Sequence, residues 1–206
     1  MFLAIDTSAG SSVALVHETD RVLAEASEVS TMRHAEVIGS LIAEVLGRAT
    51  VDPSQIDGVA VGMGPGPFTG LRVGIAAARA FALGLGVPVL PVVSHDAVAR
   101  NWYQGGGVGP VVVVTDARRR ERYWSAYDGV DSAGCPRRSD GPGLASPDAV
   151  PFPLVPRLDA DRVSAGHIGL LAAAFRDRGA IVDIAEPLYL RSPDVTLSSG
   201  PKRVTS

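Results

Sequence analysis

The residues able to do chemistry fall in four places. Asp6 ends the apolar run Phe2-Leu3-Ala4-Ile5 and is followed by Thr7, Ser8, Gly10, Ser11 and Ser12. A carboxylate at a strand tip, beside hydroxyls and backbone N–H groups, can hold a hydrated Mg²⁺ ion and a phosphate. Asp and Ser are also common turn formers, and local chemistry alone favours that plainer reading. Gly64-Pro65-Gly66-Pro67-Phe68-Thr69-Gly70 is a rigid loop leading into a helix. Such a junction can bind anions through free N–H groups and the helix dipole. Here no lysine follows, the spacing is not G-x-G-x-x-G, and Pro65 and Pro67 lack N–H donors, which weakens the cradle. Asp6, Ser8, Gly66, Thr69 and Asp116 are therefore the candidates for lying near a nucleotide.

His95 is the third place. Histidines at i and i+4 on a helix can share a metal ion, but position 99 is alanine. His95 reads as a structural histidine, and His17, His34 and His167 form no local cluster. Fourth, Arg118, Arg119, Arg120 and Arg122 make a basic hairpin tip beside Tyr123, Trp124 and Tyr127. Basic and aromatic side chains together can contact RNA. In a chain of net charge −3 a solvated turn over core aromatics is the better reading. No nucleophile elbow, triad signature or paired-carboxylate motif is present. No catalytic residue and no metal ligand is assigned.

Composition narrows the field further. The 206 residues are 46% hydrophobic and 20% charged, enough apolar surface for a real core of one domain or two small lobes. Aromatics are only 5%, so Ala, Val, Leu and Ile must build that core. The acidic balance excludes a protein held on nucleic acid by bulk positive charge. The single cysteine, Cys135, excludes an internal disulfide and a multi-cysteine metal site. The only lysine is Lys202, near the end, so a P-loop lysine and a Schiff-base lysine are improbable. The N-terminus lacks a basic region and reaches Asp6 at once. The apolar window 71–90 contains Arg72, Arg79, glycines and Pro88. A soluble cytoplasmic protein with no membrane partner is expected.

The elements that must position these residues follow from periodicity. Phe2–Thr7, Ser12–His17 and Arg21–Val29 read as strands joined by short turns, an antiparallel meander. His34–Arg48 changes period: Val37, Leu41 and Val45 run beside Ile38, Ile42 and Leu46 at spacings of four, with Glu36, Ser40, Glu44 and Arg48 opposite. Gly58–Met63 is a buried strand. Thr69 is placed to cap a helix to Leu85 that carries Gly70, Gly74, Ala78 and Ala82 on one stripe, where another backbone could approach closely. Val87–Val93 is a strand, and Ser94 caps a helix to Tyr103. Gly105–Pro110 is the one obvious linker.

Beyond it Val111–Asp116 and Arg122–Tyr127 form a hairpin. Residues 129–160 read as loop, 162–166 as a strand, 167–178 as a helix and 186–191 as extended chain. The expected organisation is a first lobe over 1–104, a smaller lobe over 105–191 and a disordered tail over 192–206. Both lobes open on a strand ending in Asp, which suggests a duplicated α/β architecture.

Two segments carry a resemblance. Leu3-Ala4-Ile5-Asp6-Thr7-Ser8 with Ser12-Val13-Ala14-Leu15, and Gly64-Pro65-Gly66-Pro67-Phe68-Thr69-Gly70-Leu71-Arg72-Val73-Gly74, resemble the bacterial TsaB (YeaZ) family. Asp116-Ala117-Arg118, Glu121-Arg122-Tyr123-Trp124 and the stretch 185–191 look like its later motifs. The resemblance implies an actin-like ATPase (acetate and sugar kinase-like) fold: two lobes, each a mixed sheet flanked by helices. It also implies a non-catalytic scaffold subunit that heterodimerises with the catalytic paralogue, TsaD, for threonylcarbamoyl transfer to the adenosine beside the anticodon of tRNA. A TsaE-type ATPase and tRNA would be further partners. No cofactor would be held stably by this chain, with ATP and Mg²⁺ acting in the complex.

His95 falls where the paralogue has its first metal-binding histidine, and Ala99 replaces the second. The implied contact is helix on helix, through Val37, Ile38, Leu41, Ile42, Val45 and Leu46 and through Gly70, Gly74, Ala78 and Ala82. The same face could pair two copies of the chain when the partner is absent. Departures from the family pattern are Arg120, where glycine is common, and Pro67, where serine is commoner. The alternatives carried alongside are an actin-like-fold ATPase or small-molecule kinase, and a degenerate metallopeptidase-like protein.

Overall fold

The computed structural model describes residues 1–17, 21–29, 33–179 and 186–191. The chain opens on β1 (Phe2–Asp6), β2 (Ser11–His17) and β3 (Arg21–Glu28), followed by α1 (His34–Ala49), β4 (Gly58–Gly62), α2 (Phe68–Leu85), β5 (Val89–Val92) and α3 (Ser94–Gln104). A second run comprises β6 (Val111–Asp116), β7 (Arg122–Val130), β8 (Pro136–Ala145), β9 (Arg157–Asp159) and α4 (Ala165–Asp177).

The first sheet has the order β3-β2-β1-β4-β5 and the second β8-β7-β6-β9. In each, an opening strand pairs antiparallel with the next strand of the chain and parallel with the fourth: β1 with β2 and β4, β6 with β7 and β9. The two sheets thus repeat one plan.

Alternation along the strands sorts the layers. Leu3, Ile5, Val13, Leu15, Val59 and Val61 point to one face of the first sheet and bury Ile38, Leu41 and Val45 of α1 with Leu71, Ile75, Ala78 and Ala82 of α2. Ala4, Ala14, Val16 and Ala60 point the other way, into a core shared with α3, α4 and Val111, Val113 and Tyr127 of the second sheet. The small residues on that face admit α4 closely. A Cβ on Gly169 would stand 2.6 Å from Val16 Cγ2. So α4 packs on the first sheet although it follows the second in sequence.

Several expectations are corrected. The stretch 129–160 is largely ordered as the end of β7, β8 and β9. Gly141 and Gly143 of β8 lie on Trp124, and a Cβ on Gly143 would overlap its indole. The strand expected at 162–166 is instead β9, Arg157–Asp159, with Ser164 capping α4 by accepting from His167 N at 3.3 Å. Thr69 does not cap α2: Pro67 occupies the N-cap without a side-chain bond, and Thr69 lies exposed in the first turn. Ser94 is the first residue of α3, preceded by Val93 as N-cap. The tail expected to be disordered lies outside the described residues.

The last described segment, residues 186–191, crosses between the two sheets' loops. Leu188 N donates to Met63 O at 2.8 Å. Arg191 donates to Ala117 O at 3.1 Å and pairs with Glu121 at 3.5 Å.

Candidate functional site

Asp6 is locked into the protein. Its Oδ1 accepts from Ser8 N at 2.8 Å and Ser8 Oγ at 2.6 Å, and its Oδ2 accepts from Ser94 Oγ at 2.6 Å. Ser94 Oγ in turn accepts from Gly64 N at 3.0 Å, and Ser94 N donates to Gly64 O at 2.7 Å. The carboxyl is 1% exposed, and burial pushes its pKa up against the pull of the Ser8 and Ser94 hydrogen bonds. A Cβ on Gly62 would overlap Oδ2, and one on Gly66 would stand 2.8 Å from Ser8 Cα. The structure brings Asp6, Ser8 and Gly66 together as one packed joint between the first hairpin and the proline-glycine loop. A hydrated cation needs carboxylate oxygen turned to water, and this arrangement offers none of it.

The other two nucleotide candidates lie apart from that joint. Thr69 is exposed on α2. Asp116 is exposed at the end of β6, where it accepts from Arg122 at 2.8 Å and faces Arg118 at 3.9 Å.

His95 joins the two sheets. Fully buried on α3, it lies 2.8 Å from Ser125 Oγ through Nδ1 and 2.9 Å from Thr115 Oγ1 through Nε2. Burial first, and the Arg138 charge second, lower its pKa to about 3. The ring is neutral at pH 7, with one nitrogen donating and the other accepting. Beside it Tyr127 OH donates to Asp96 Oδ1 at 2.8 Å, and Arg138 stands 3.4 Å from the same oxygen.

His34, which the sequence reading left without a role, is buried at the start of α1, its Nδ1 2.7 Å from Ser11 Oγ. Its pKa is lowered by burial and then by the charge of Arg118. Among the described residues no group of three His, Cys, Asp or Glu side chains could hold a metal ion.

The expected docking residues are corrected by burial. Ile38, Leu41, Val45, Gly70, Gly74, Ala78 and Ala82 are buried in the chain's own core, out of a partner's reach. Val37, Ile42 and Leu46 are half-buried. The small stripe of α2 fits the first hairpin: a Cβ on Gly70 would stand 2.6 Å from Thr7 O, and one on Gly74 would overlap Thr7 Oγ1.

A different pair of stripes faces outward. On α1 these are Ala35, Gly39, Ala43 and Gly47; on α2, Ala76, Ala80 and Gly84, again spaced by four and all exposed. A Cβ on Gly39, Gly47 or Gly84 would meet nothing within 4 Å. Beside the second stripe Leu83 is 84% exposed, and only 33% of this 18-residue apolar helix is buried. The signal was in the sequence as a second four-residue period of Ala and Gly, masked by the stronger Val, Ile and Leu rows. Small residues along the i±4 rows form shallow grooves that accept the ridges of another helix at short axial distance.

Two sheets of one strand order, each opening on an Asp-ended strand and hairpin, with helices between and outside them, define the actin-like ATPase class of two-lobed α/β proteins. The family profile for TsaD, tRNA N6-adenosine threonylcarbamoyltransferase, matches residues 22–134. A Mycobacterium tuberculosis protein of uncharacterised function is 39% identical over 93% of this chain and 92% of its own length. The Haemophilus influenzae tRNA threonylcarbamoyladenosine biosynthesis protein TsaB is 36% identical over 60% of this chain and 52% of its own. The structure of YeaZ from Pseudomonas aeruginosa superposes with a TM-score of 0.76 at 30% identity, covering 92% of this chain and 99% of that one. The chain belongs to the TsaB (YeaZ) family within this wider TsaD-related group, and so to tRNA threonylcarbamoyladenosine biosynthesis.

Proposed function

We propose that the chain is a non-catalytic scaffold subunit that heterodimerises with a TsaD-type threonylcarbamoyltransferase. The observation that carries this reading is the pair of outward small-residue stripes on α1 and α2, with Leu83 exposed beside the stripe of α2. Two helices of the partner packing on them would complete a four-helix bundle. The Asp6 joint supports the absence of catalysis in this chain: its carboxylate and the hydroxyls that flank it are already bonded to one another. In this reading ATP and Mg²⁺ act in the assembled cytoplasmic complex, with a TsaE-type ATPase and tRNA as further partners. Unpartnered, the same face would pair two copies of the chain.

The test is size-exclusion chromatography of the chain with its TsaD-type relative. Leu83→Asp and Ala43→Glu, both on the outward face, should abolish the heterodimer while leaving the circular dichroism spectrum unchanged. A heterodimer that survives both substitutions removes this interface.

A further inference from the structure

We propose that a cavity on the α4 side of the first sheet binds the ammonium group of a small amine or amino acid, with Glu25 as its counter-ion. The cavity, about 370 Å³, lies between β2, β3, α3 and the connection from β9 to α4. That volume falls in the roughly 300–1,000 Å³ range of small-molecule sites. Ser12 Oγ, on its wall, accepts from Ala165 N at 3.1 Å. The cavity therefore opens on the face of the sheet opposite α1 and α2.

Glu25 is half-buried in this wall. Its Oε1 accepts from Ser12 Oγ at 2.9 Å and its Oε2 from Ser164 Oγ at 3.1 Å. Both donors are neutral hydroxyls. Arg48 donates at 3.2 Å to the backbone oxygen of Glu25, and its guanidinium is paired with Glu44. Among the described residues no cation pairs with the Glu25 carboxylate. A half-buried carboxylate without a cation costs hydration that only a charged partner returns.

The carboxylate is also held in place before any ligand arrives. Ser164 is the N-cap of α4, and a Cβ on Gly166 would stand 2.9 Å from Glu25 Oε2. The glycine thus lets the start of α4 approach the carboxylate, where the helix dipole favours the ionised form. A counter-ion fixed in advance loses little freedom on binding.

The rest of the lining fits the same ligand. His167 lines the cavity and is neutral at pH 7, its pKa lowered by burial and then by the Arg100 charge, against the pull of Glu25. Its Nδ1 is buried without a hydrogen-bond partner, unused polar capacity at the wall. Ser27 adds an exposed hydroxyl. Arg162, 73% exposed, lies 4.0 Å from Asp161 and brings a guanidinium to the rim. Ammonium on Glu25 and carboxylate on Arg162 would seat an amino acid; ammonium alone would seat an amine. A phosphate or free carboxylate meets the Glu25 charge and is repelled.

The experiment titrates the ¹⁵N-labelled full chain with ethanolamine and, separately, with L-serine at pH 7, following amide shifts by NMR. Salt is kept at about 50 mM, where screening is modest. Saturable shifts centred on Ser12, Glu25 and Ser164 are expected with at least one of the two. Glu25→Gln keeps the shape and removes the charge, and should weaken binding about 10-fold or more. Ser27→Phe fills the cavity from an exposed strand position and should abolish binding, which keeps the test open if Glu25→Gln does not fold. Acetate, a carboxylate without an ammonium group, should give no shift there.

Tighter binding of L-serine than of ethanolamine, lost in Arg162→Gln, supports the site and assigns it to amino acids. Equal or tighter binding of ethanolamine supports it and assigns it to amines. The proposal is overturned if neither ligand saturates, if the shifts centre elsewhere, if acetate binds as well, or if the folded Glu25 and Ser27 variants bind like wild type. The site and the docking face lie on opposite sides of the sheet, so loss of the heterodimer in the earlier test leaves this result unchanged.

Discussion

Thr7 is bound into the second helix through the backbone of Gly74. Its hydroxyl accepts from Gly74 N at 3.1 Å and donates to Gly70 O at 2.7 Å, and a Cβ on Gly74 would overlap that hydroxyl. The glycines that look like a free docking stripe are the places where α2 touches the first hairpin. Gly74→Ala should therefore destabilise the isolated chain by about 1–3 kcal/mol, the usual cost of overpacking, in urea unfolding. An unchanged midpoint would show that Thr7 moves aside freely.

Burial divides the substitutions that test docking from those that merely unfold. Leu41 is 7% exposed and Leu83 is 84% exposed. Leu41→Asp should cost on the order of 4 kcal/mol, because it both empties a core site and buries a charge. Leu83→Asp should change the stability of the isolated chain by less than about 0.5 kcal/mol, as exposed positions do. Heterodimer loss with Leu83→Asp then reports the interface, whereas loss with Leu41→Asp reports the fold.

The fold was legible where one period dominated. The meander, α1, α2 and α3 stand within a residue or two of their expected bounds because apolar residues recur at two or at four. What was hidden has physical causes. β8 is an edge strand whose Gly141 and Gly143 make room for Trp124, so it carries no alternating apolar pattern. β9 has three residues, too few for a period. The paired rows of α1 could not show which row the sheet takes; Ile38, Leu41 and Val45 go in, and Val37, Ile42 and Leu46 lie at the margin. Thr69 and Ser94 both suit an N-cap by type. Ser94 has a stronger claim elsewhere, on Asp6, 88 residues away in sequence, which no local reading can see.

That long-range bond predicts how Asp6 responds to change. Asp6→Ala leaves Ser8 N, Ser8 Oγ and Ser94 Oγ without their acceptor inside the protein. The cost should be about 3 kcal/mol by thermal or chemical unfolding, since orphaned buried donors lose hydration without return. If Asp6 instead bound Mg²⁺ for catalysis, Asp6→Asn would keep the fold and abolish Mg-ATP heat in calorimetry. We expect no such heat from the isolated wild-type chain, so a clear wild-type signal lost in Asp6→Asn would restore the ATPase reading.

His95 sets the acid side of the stability curve. Its folded pKa, about 3, lies below the ordinary value of 6.5 because burial and then Arg138 disfavour the imidazolium. A group whose folded pKa is depressed binds fewer protons folded than unfolded between the two values. The stability it confers is complete above about pH 6.5 and is lost as pH falls toward 3. At pH 5 the loss from this residue should be roughly 2 kcal/mol, at about 1.4 kcal/mol per unit. His34 and His167 are also lowered by burial and act in the same direction. Asp6 and Asp96, raised by burial, act oppositely, binding protons more readily in the folded state. His95→Asn keeps polar contact with Ser125 and Thr115 but cannot take a charge. It should be less stable than wild type at pH 7 and lose less on acidification, so the two melting curves converge between pH 6.5 and 4.5. Parallel curves across that range would show that protonation of His95 is not what acid unfolding must supply.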